Sequence, residues 1–162
     1  MSKLQINVDL DKLTPKEKTE FLRLIDKSNN PFARVDLDDK YYYVNGCGEV
    51  EEDNDSCYSG DEAAYNCHNY YNDEKFAEHQ ALRELLNRKL MKFSYENGGN
   101  EIKGVVEPIS IFYDEDGRFK TNIYYLPDIL TPLFISEEVA QRAIDKIIEP
   151  FMKEHPDFKF WG

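Results

Sequence analysis

Apolar and polar positions along the chain alternate between strand spacing and helix spacing. Leu4–Leu10 alternates apolar with polar residues, which predicts a short edge strand. A helix is predicted next, because Thr14 and Glu17 have the spacing of a capping box and Pro15 suits the first helical position. It is expected to end near Ser28–Pro31, since the residue before a proline avoids the α region. Its apolar positions are Phe21, Leu22, Leu24 and Ile25.

The segment after this helix predicts a β-hairpin and a loop. Lys40–Val44 is rich in aromatic and β-branched residues, and Asn45-Gly46 after it is a strong turn signal, with a return strand near Glu49–Glu51. The polar residues 53–66 predict a loop. Asn69–Tyr71 is short and aromatic, which favours a short strand.

A long amphipathic helix is predicted in the centre of the chain. Asn72 suits an N-cap, and the helical period continues to about Phe93. The glycines within Asn97–Asn100 end the helix and predict a boundary between two lobes. The apolar stripe consists of Leu82, Leu86, Leu90 and Phe93, flanked by Ala77, Ala81 and Leu85.

The second half repeats this order of elements. Ile109–Tyr113 predicts a strand, Asp114–Gly117 a turn, and Phe119–Tyr125 the return strand. Leu133–Ile135 predicts a short buried strand, and Ser136 begins the last helix. We expect Pro150 to kink or end that helix. Its core stripe is Ala140, Ala143, Ile144, Ile147, Ile148 and Phe151.

These elements predict an α+β fold: an N-terminal helix plus two β-hairpin–helix units, with antiparallel strands packed on amphipathic helices. The predicted segments are an N-terminal helical segment (1–35), an acidic hairpin–helix unit (36–97) and a second hairpin–helix unit (101–162), within one compact domain. The two units share a helix-start pattern, seen in Tyr71–Glu74 and Ile135–Glu138. Duplication of one unit is one explanation, and capping chemistry common to most helices is the other.

Acidic residues are concentrated in one part of the chain. Of the 162 residues 32 are acidic and 20 basic, a net charge of −12, and residues 36–80 hold thirteen acids against two lysines. Such a field repels nucleic acid and anionic membranes and attracts basic protein surfaces. The alternative is that the acids only keep the protein in solution. We therefore expect a basic, nucleic-acid-binding protein as partner, and neither nucleic acid nor a membrane.

Cysteine usage and the start of the chain favour a cytoplasmic protein. The chain begins without an apolar signal segment, contains no apolar run of membrane-spanning length, and has an odd number of cysteines, so we expect free thiols. Cys47, Cys57, Cys67 and His68 are chemically suited to zinc, but their spacing differs from that of known zinc knuckles. A small zinc module is therefore kept as an alternative, and no cofactor is expected.

Catalysis has little support in the sequence, which lacks nucleophile-elbow and phosphate-loop motifs. A binding protein is favoured instead, because seven of the eleven tyrosines lie within the acidic segment and tyrosine is common at interfaces. Ordinary strand propensity is the alternative explanation for these tyrosines. The predicted partner-binding residues are Glu49, Glu51, Glu52, Asp53, Asp55, Asp61, Glu62, Tyr42 and Tyr58.

Seven motifs between residues 40 and 155 carry a resemblance to known proteins. They are Lys40–Val50, Asp61, Tyr65, Asn69–Tyr71, Asp73–Glu78, Tyr113-Asp114 and Phe134–Ala140. Together they resemble small acidic proteins of phages and prophages of low-GC Gram-positive bacteria, in which a glycine often stands where this chain has His68. The resemblance implies a phage origin, and hence the cytoplasm of a host cell and a basic host protein as partner. Some such proteins inhibit host defence nucleases, including CRISPR effectors, by occupying the groove meant for nucleic acid.

The function expected from sequence is therefore non-catalytic. We expect a phage-encoded inhibitor that binds a host defence nuclease through an acidic surface that mimics nucleic acid. The densest acidic cluster lies between Glu49 and Asp55. The alternative is a phage structural or accessory protein that assembles through its aromatic surface, for which a homodimer is one form.

Overall fold

The protein has an α+β fold, as predicted, in which helices accompany two antiparallel two-stranded sheets. The computed structural model describes residues 9–99, 107–114, 116–123 and 132–159. The predicted Leu4–Leu10 strand lies mostly outside these residues, and Leu10 itself begins a 3₁₀ turn, Leu10–Lys12.

The described residues fall into two compact units. The first lies within Met1–Asn45 and Val50–Ala77, and the second within Gly46–Glu49 and Glu78–Gly162. The division therefore lies inside the central helix, whereas the sequence predicted a boundary at its glycine-rich end.

Helix α1, Pro15–Asn29, begins and ends where the sequence predicted. The capping box is present, because the Glu17 backbone N–H donates to Thr14 Oγ1 at 3.3 Å and the Thr14 N–H donates to Glu17 Oε2 at 2.9 Å. Leu22, Leu24 and Ile25 on this helix remain exposed.

The first hairpin pairs β1, Lys40–Val44, with β2, Val50–Asn54. The register runs from Lys40 opposite Asn54 to Val44 opposite Val50. The left-handed residue of the connection is Gly48, with φ +89°, and not a residue of the Asn45-Gly46 pair.

The prediction of a loop over residues 53–66 is wrong at both ends. Strand β2 continues to Asn54, and helix α2 spans Ser59–Asn66. Helix α2 has no apolar stripe of its own in the sequence, and side chains from distant segments hold its start, as described below.

Helix α3, Glu74–Glu96, runs from the first unit into the second. Its cap is Asp73, whose Oδ1 accepts from the Phe76 N–H at 2.7 Å. Asn72, the predicted cap, instead donates to the carbonyl oxygens of Asn30 and Ala33 at 3.0 and 3.1 Å. The expected cap is therefore one residue early, because a tertiary contact occupies the Asn72 side chain.

The second hairpin pairs β3, Ile109–Tyr113, with β4, Phe119–Ile123, and residues 124–125 of the predicted return strand lie outside the described residues. Helix α4, Glu137–Ala143, follows with Ser136 as its cap. The buried cluster of this unit contains Leu86, Leu90, Phe134, Val139, Ala140, Ala143, Ile144, Ile148, Phe151 and Phe158.

Pro150 does not end the last helix. A π-helical segment, Ile144–Ile148, joins α4 to helix α5, Glu149–Glu154. Proline lacks an N–H and its ring crowds the carbonyl four residues earlier, so an inserted π turn just before Pro150 lets the helix continue.

Both units attach an aromatic residue to the first strand of their hairpin in the same way. Tyr71 exchanges two backbone hydrogen bonds with Tyr42, both 2.8 Å, and Phe134 exchanges two with Ile109, at 2.8 and 2.9 Å. Each aromatic residue stands two positions before the N-cap of the following helix, Asp73 or Ser136. The predicted similarity between the two halves therefore has a structural counterpart.

Candidate functional site

A buried carboxylate network lies beneath the acidic hairpin of the first unit. Asp55, one residue past β2, is 1% exposed and takes a bidentate ion pair from Arg34. Arg34 Nε donates to Asp55 Oδ2 at 2.6 Å, and Nη2 donates to Oδ1 at 3.0 Å. Planar guanidinium and carboxylate groups match in this geometry, so the pair fixes both orientation and distance.

Further donors saturate the Asp55 carboxylate. Tyr70 Oη donates to Asp55 Oδ2 at 2.8 Å, and the Cys57 backbone N–H donates to Oδ1 at 3.0 Å. The hydrogen bonds from Arg34, foremost among these contacts, hold the pKa of Asp55 well below its usual range. Desolvation and the bond to Asp55 raise the pKa of the Tyr70 phenol, so this proton stays in place.

The backbone of Asp55 is held as well. Its carbonyl accepts from the Asp38 N–H at 2.8 Å, and its own N–H donates to the Asp39 carbonyl at 3.0 Å. Asp38 and Asp39 thus stand opposite the single residue Asp55, which is the arrangement of a β-bulge. Asp38 accordingly has a left-handed φ of +67°.

Asp61 organises the start of α2. Its Oδ2 accepts from the backbone N–H groups of Ser56 and Tyr58, both at 3.0 Å, and its Oδ1 accepts from Tyr41 Oη at 3.0 Å. These bonds satisfy the backbone groups that precede the helix and tie β1 to α2. This tie explains a helix that the local sequence did not predict.

Aromatic rings join the two carboxylates. The rings of Tyr41 and Tyr70 stack with centroids 4.2 Å apart, and Tyr65 meets Tyr70 edge-on at 5.4 Å. Arg34 lies over the Tyr65 ring at 5.4 Å and donates to Glu62 Oε1 at 2.6 Å. Arg34 thus connects the segment before β1 to β2 and to α2.

Two predicted partner-binding acids are therefore assigned wrongly. Asp55 is 1% and Asp61 is 5% exposed, so neither carboxylate can meet a partner. Both are buried because each accepts a tyrosine hydroxyl and backbone or guanidinium donors. Glu62 keeps about half of its side chain exposed but is paired with Arg34.

The other predicted acids lie at the surface. Glu51, Glu52 and Asp53 are consecutive exposed residues of β2, and Glu49 is exposed in the turn before it, within the second unit. Glu51 accepts from Tyr43 Oη at 2.6 Å, and this bond lowers the pKa of the carboxyl. Lys40 donates to both oxygens of Glu52, at 2.8 and 2.9 Å.

The two predicted aromatic anchors differ in exposure. Tyr58, which directly precedes α2, is 74% exposed. Tyr42 is half-buried in the centre of β1, and its backbone is paired with Tyr71. Only Tyr58 presents most of its ring to a partner.

Sequence reasoning missed Arg34. It lies in an irregular segment 21 residues before Asp55, and no local motif joins the two residues. A single signal was present: Arg34 is the sole arginine between Arg23 and Arg83, and it directly precedes the acidic segment.

The zinc alternative gains no support. Cys47, Cys57 and Cys67 are exposed, and none of the three forms a disulfide. Among the residues that the structure describes, no group of three or more histidines, cysteines or acids is placed to hold a metal ion.

Comparison of the chain with protein-family models, with curated proteins and with solved structures finds no match. No helix within the described ranges is long and apolar enough to cross a membrane.

Proposed function

We propose that the protein is a phage-encoded, non-catalytic inhibitor that docks on the basic nucleic-acid-binding surface of a host defence nuclease. The observation that carries the proposal is the unbroken run of exposed carboxylates at Glu51, Glu52 and Asp53 on β2. The resemblance of Lys40–Val50 and the following helix start to small phage proteins supports the phage origin.

The spacing of these carboxylates suits a surface that binds phosphates. Residues of a β-strand follow one another about every 3.4 Å, and the phosphates of one DNA strand follow about every 3.4 Å of helix axis. Glu51 and Asp53 share one face of the hairpin, and Glu52 lies on the other. A basic groove that lies against one face would therefore meet Glu51 and Asp53 about 6.8 Å apart, which corresponds to two axial repeats of its natural ligand.

The hairpin is prepared for binding before a partner arrives. Asp55, at the end of β2, is anchored by Arg34, and the Tyr43 hydroxyl holds Glu51 in place. Side chains that are already ordered lose less conformational entropy on association. In this proposal the buried acids are scaffold, the exposed acids are the contact surface, and Tyr58 is an aromatic anchor beside it.

The proposal is tested first by capture and then by inhibition. The protein is immobilised, exposed to bacterial lysate at low and at high salt, and any nuclease recovered at low salt is purified and assayed. We expect inhibition by the wild type, and roughly tenfold or greater loss of affinity in the Glu51→Gln/Glu52→Gln/Asp53→Asn variant.

A matched variant removes the same number of charges elsewhere. Glu107, Glu149 and Asp157 are exposed acids of the second unit, and their change to Gln, Gln and Asn should alter affinity less than about twofold. Equal inhibition by the two triple variants would contradict the proposal, as would capture that does not depend on salt.

Self-assembly as a phage structural or accessory protein is the second candidate. It is favoured by large apolar side chains that stay exposed in the first unit, among them Leu22, Leu24 and Leu37. Sedimentation at increasing concentration tests it. Association that survives high salt and is lost in Leu22→Ser/Leu24→Ser would favour this candidate over the inhibitor.

A further inference from the structure

The outer edge of β1 in the first hairpin is hydrogen-bonded to other segments. These bonds show which backbone groups of the hairpin point outward. Tyr42 exchanges its backbone hydrogen bonds with Tyr71, and both Val44 backbone groups bond to the Asn69 side-chain amide, at 2.8 Å. The backbone N–H and C=O groups of these two β1 residues therefore point away from β2. Because antiparallel pairs alternate, their opposite residues Glu52 and Val50 must point away from β1.

The outer edge of β2 is therefore open at two consecutive outward positions. No described residue bonds the backbone N–H or C=O of Val50 or Glu52. Asn54, the next outward position, is closed locally: its N–H donates to Asp53 Oδ1 at 2.8 Å, and its carbonyl accepts from Ser56 Oγ at 3.2 Å. The open part of the edge thus ends just before Asn54.

We infer that the outer edge of β2 accepts a basic β-strand of the partner by strand addition. This inference rests on the proposed function and specifies how the partner would bind. Unpaired edge groups are a template for another strand, and side chains beside them select which strand is accepted. Here Glu51 and Asp53 stand on one face and Glu52 on the other, so lysine or arginine at alternating positions finds a carboxylate on either side.

Charge also opposes pairing of the open edge with a second copy of the chain. A second copy would bring its own Glu51, Glu52 and Asp53 against the first, and like charges on neighbouring strands repel. The same repulsion excludes other acidic strands. A positively charged strand is the one occupant that both the hydrogen-bonding groups and the carboxylates favour.

The test uses a nine-residue peptide of alternating lysine and valine, blocked at both termini, and the full-length ¹⁵N-labelled protein. Titration is followed by NMR at low and at high salt, and amide exchange is measured at Val50 and Glu52. We expect salt-sensitive binding and at least about tenfold slower exchange of both amides in the complex, because strand addition gives these donors acceptors.

Two substitutions of Glu52 separate the contribution of its backbone N–H to binding from that of its charge. Glu52→Gln keeps the outward N–H, whereas Glu52→Pro removes it and leaves the β1–β2 ladder intact, since proline is tolerated where the N–H faces outward. We expect Glu52→Pro to bind at least about fivefold more weakly than Glu52→Gln. Thr121→Pro, at an outward position of β4, is the matched control and should bind as wild type.

The outcomes distinguish strand addition from binding by charge alone. Salt-sensitive binding with equal affinities for the two Glu52 variants and no amide protection would overturn strand addition and leave the electrostatic proposal standing. No binding of the lysine peptide at low salt would overturn both. Equal binding of a peptide with glutamate in place of lysine would also overturn the inference, because the carboxylates would then select nothing.

Discussion

The two hairpin–helix units share one plan but have different interiors. In each, an aromatic residue two positions before a helix cap is bridged to the first hairpin strand. The second unit encloses an apolar cluster around Phe134 and Ile148. The first encloses an ion pair and tyrosine hydroxyls around Asp55 and Asp61.

This difference shows how a small unit can carry a dense acidic surface. An apolar core needs no particular angles between its groups, whereas each hydrogen bond of the first unit joins specified atoms. The price is sensitivity, since removing one partner leaves another buried group unsatisfied. The first unit thereby holds its exposed strand in a defined position without a large apolar core.

The largest effect is expected from truncation in the apolar interior. Phe134 is 1% exposed, and Phe134→Ala should lower the free energy of unfolding by about 3–5 kcal/mol through lost burial and a cavity. Urea unfolding, followed by NMR signals of the second unit, measures it. Phe112→Ala, at an exposed position of β3, should cost less than about 1 kcal/mol. Similar costs for both would refute the apolar core described here.

The polar interior of the first unit is tested with Asp55→Asn. The change removes the charge that Arg34 and Tyr70 share, and we expect a loss of about 2–4 kcal/mol in the stability of that unit. The exposed neighbour Asp53→Asn should change stability by less than about 0.5 kcal/mol. Wild-type stability of Asp55→Asn in urea would show that the network does not hold this unit together.

Acid should lower the stability of the first unit more than that of the second. The folded pKa of Asp55 is lowered by Arg34, so its stabilisation is complete above the unfolded pKa of about 3.9 and is lost as the pH falls further. Urea unfolding at pH 7, 5, 4 and 3 measures the free energy of unfolding of each unit. We expect this free energy to fall below pH 4 for the first unit, and to fall less for the apolar unit. In Asp55→Asn this dependence should flatten, and an unchanged pH profile would exclude Asp55 as its source.

A smaller effect is expected from one hydroxyl of the network. Tyr70→Phe keeps the stacked ring but removes the bonds to Asp55 and to the Val35 N–H, at 2.8 and 3.3 Å. A loss of about 1 kcal/mol is expected in urea unfolding. Tyr58→Phe, at an exposed ring, is the control and should be neutral. No loss for Tyr70→Phe would assign the contribution of Tyr70 to stacking alone.

The smallest change should increase stability. His68 has a φ of +58°, a left-handed conformation that glycine adopts without strain. His68→Gly should raise the stability of the first unit by about 0.5 kcal/mol, because the greater backbone entropy of unfolded glycine offsets part of the relieved strain. Ala63→Gly, at an exposed position inside α2, should lower it instead, by about 0.5–1 kcal/mol. Thermal denaturation compares the two.

The sequence by itself determined the elements whose causes are local. The capping box at Thr14 and Glu17, the strand Lys40–Val44 and the core stripe that contains Ile144 and Ile148 follow from residues within a few positions of one another. Capping, turn chemistry and the hydrophobic period depend on residues that lie close together in the chain, so they can be predicted from the sequence.

Tertiary structure alone decided which acids are surface and which are scaffold. In sequence Asp53 and Asp55 are equivalent, because they stand two residues apart in the same polar, acidic segment. In the fold Arg34 and Tyr70, 21 residues before and 15 residues after, bury Asp55 and leave Asp53 exposed. Another long-range contact supports the start of α2, because Tyr41 on β1 donates to the Asp61 carboxylate. Burial of a charge depends on a partner brought from elsewhere in the chain, and no local pattern specifies that partner.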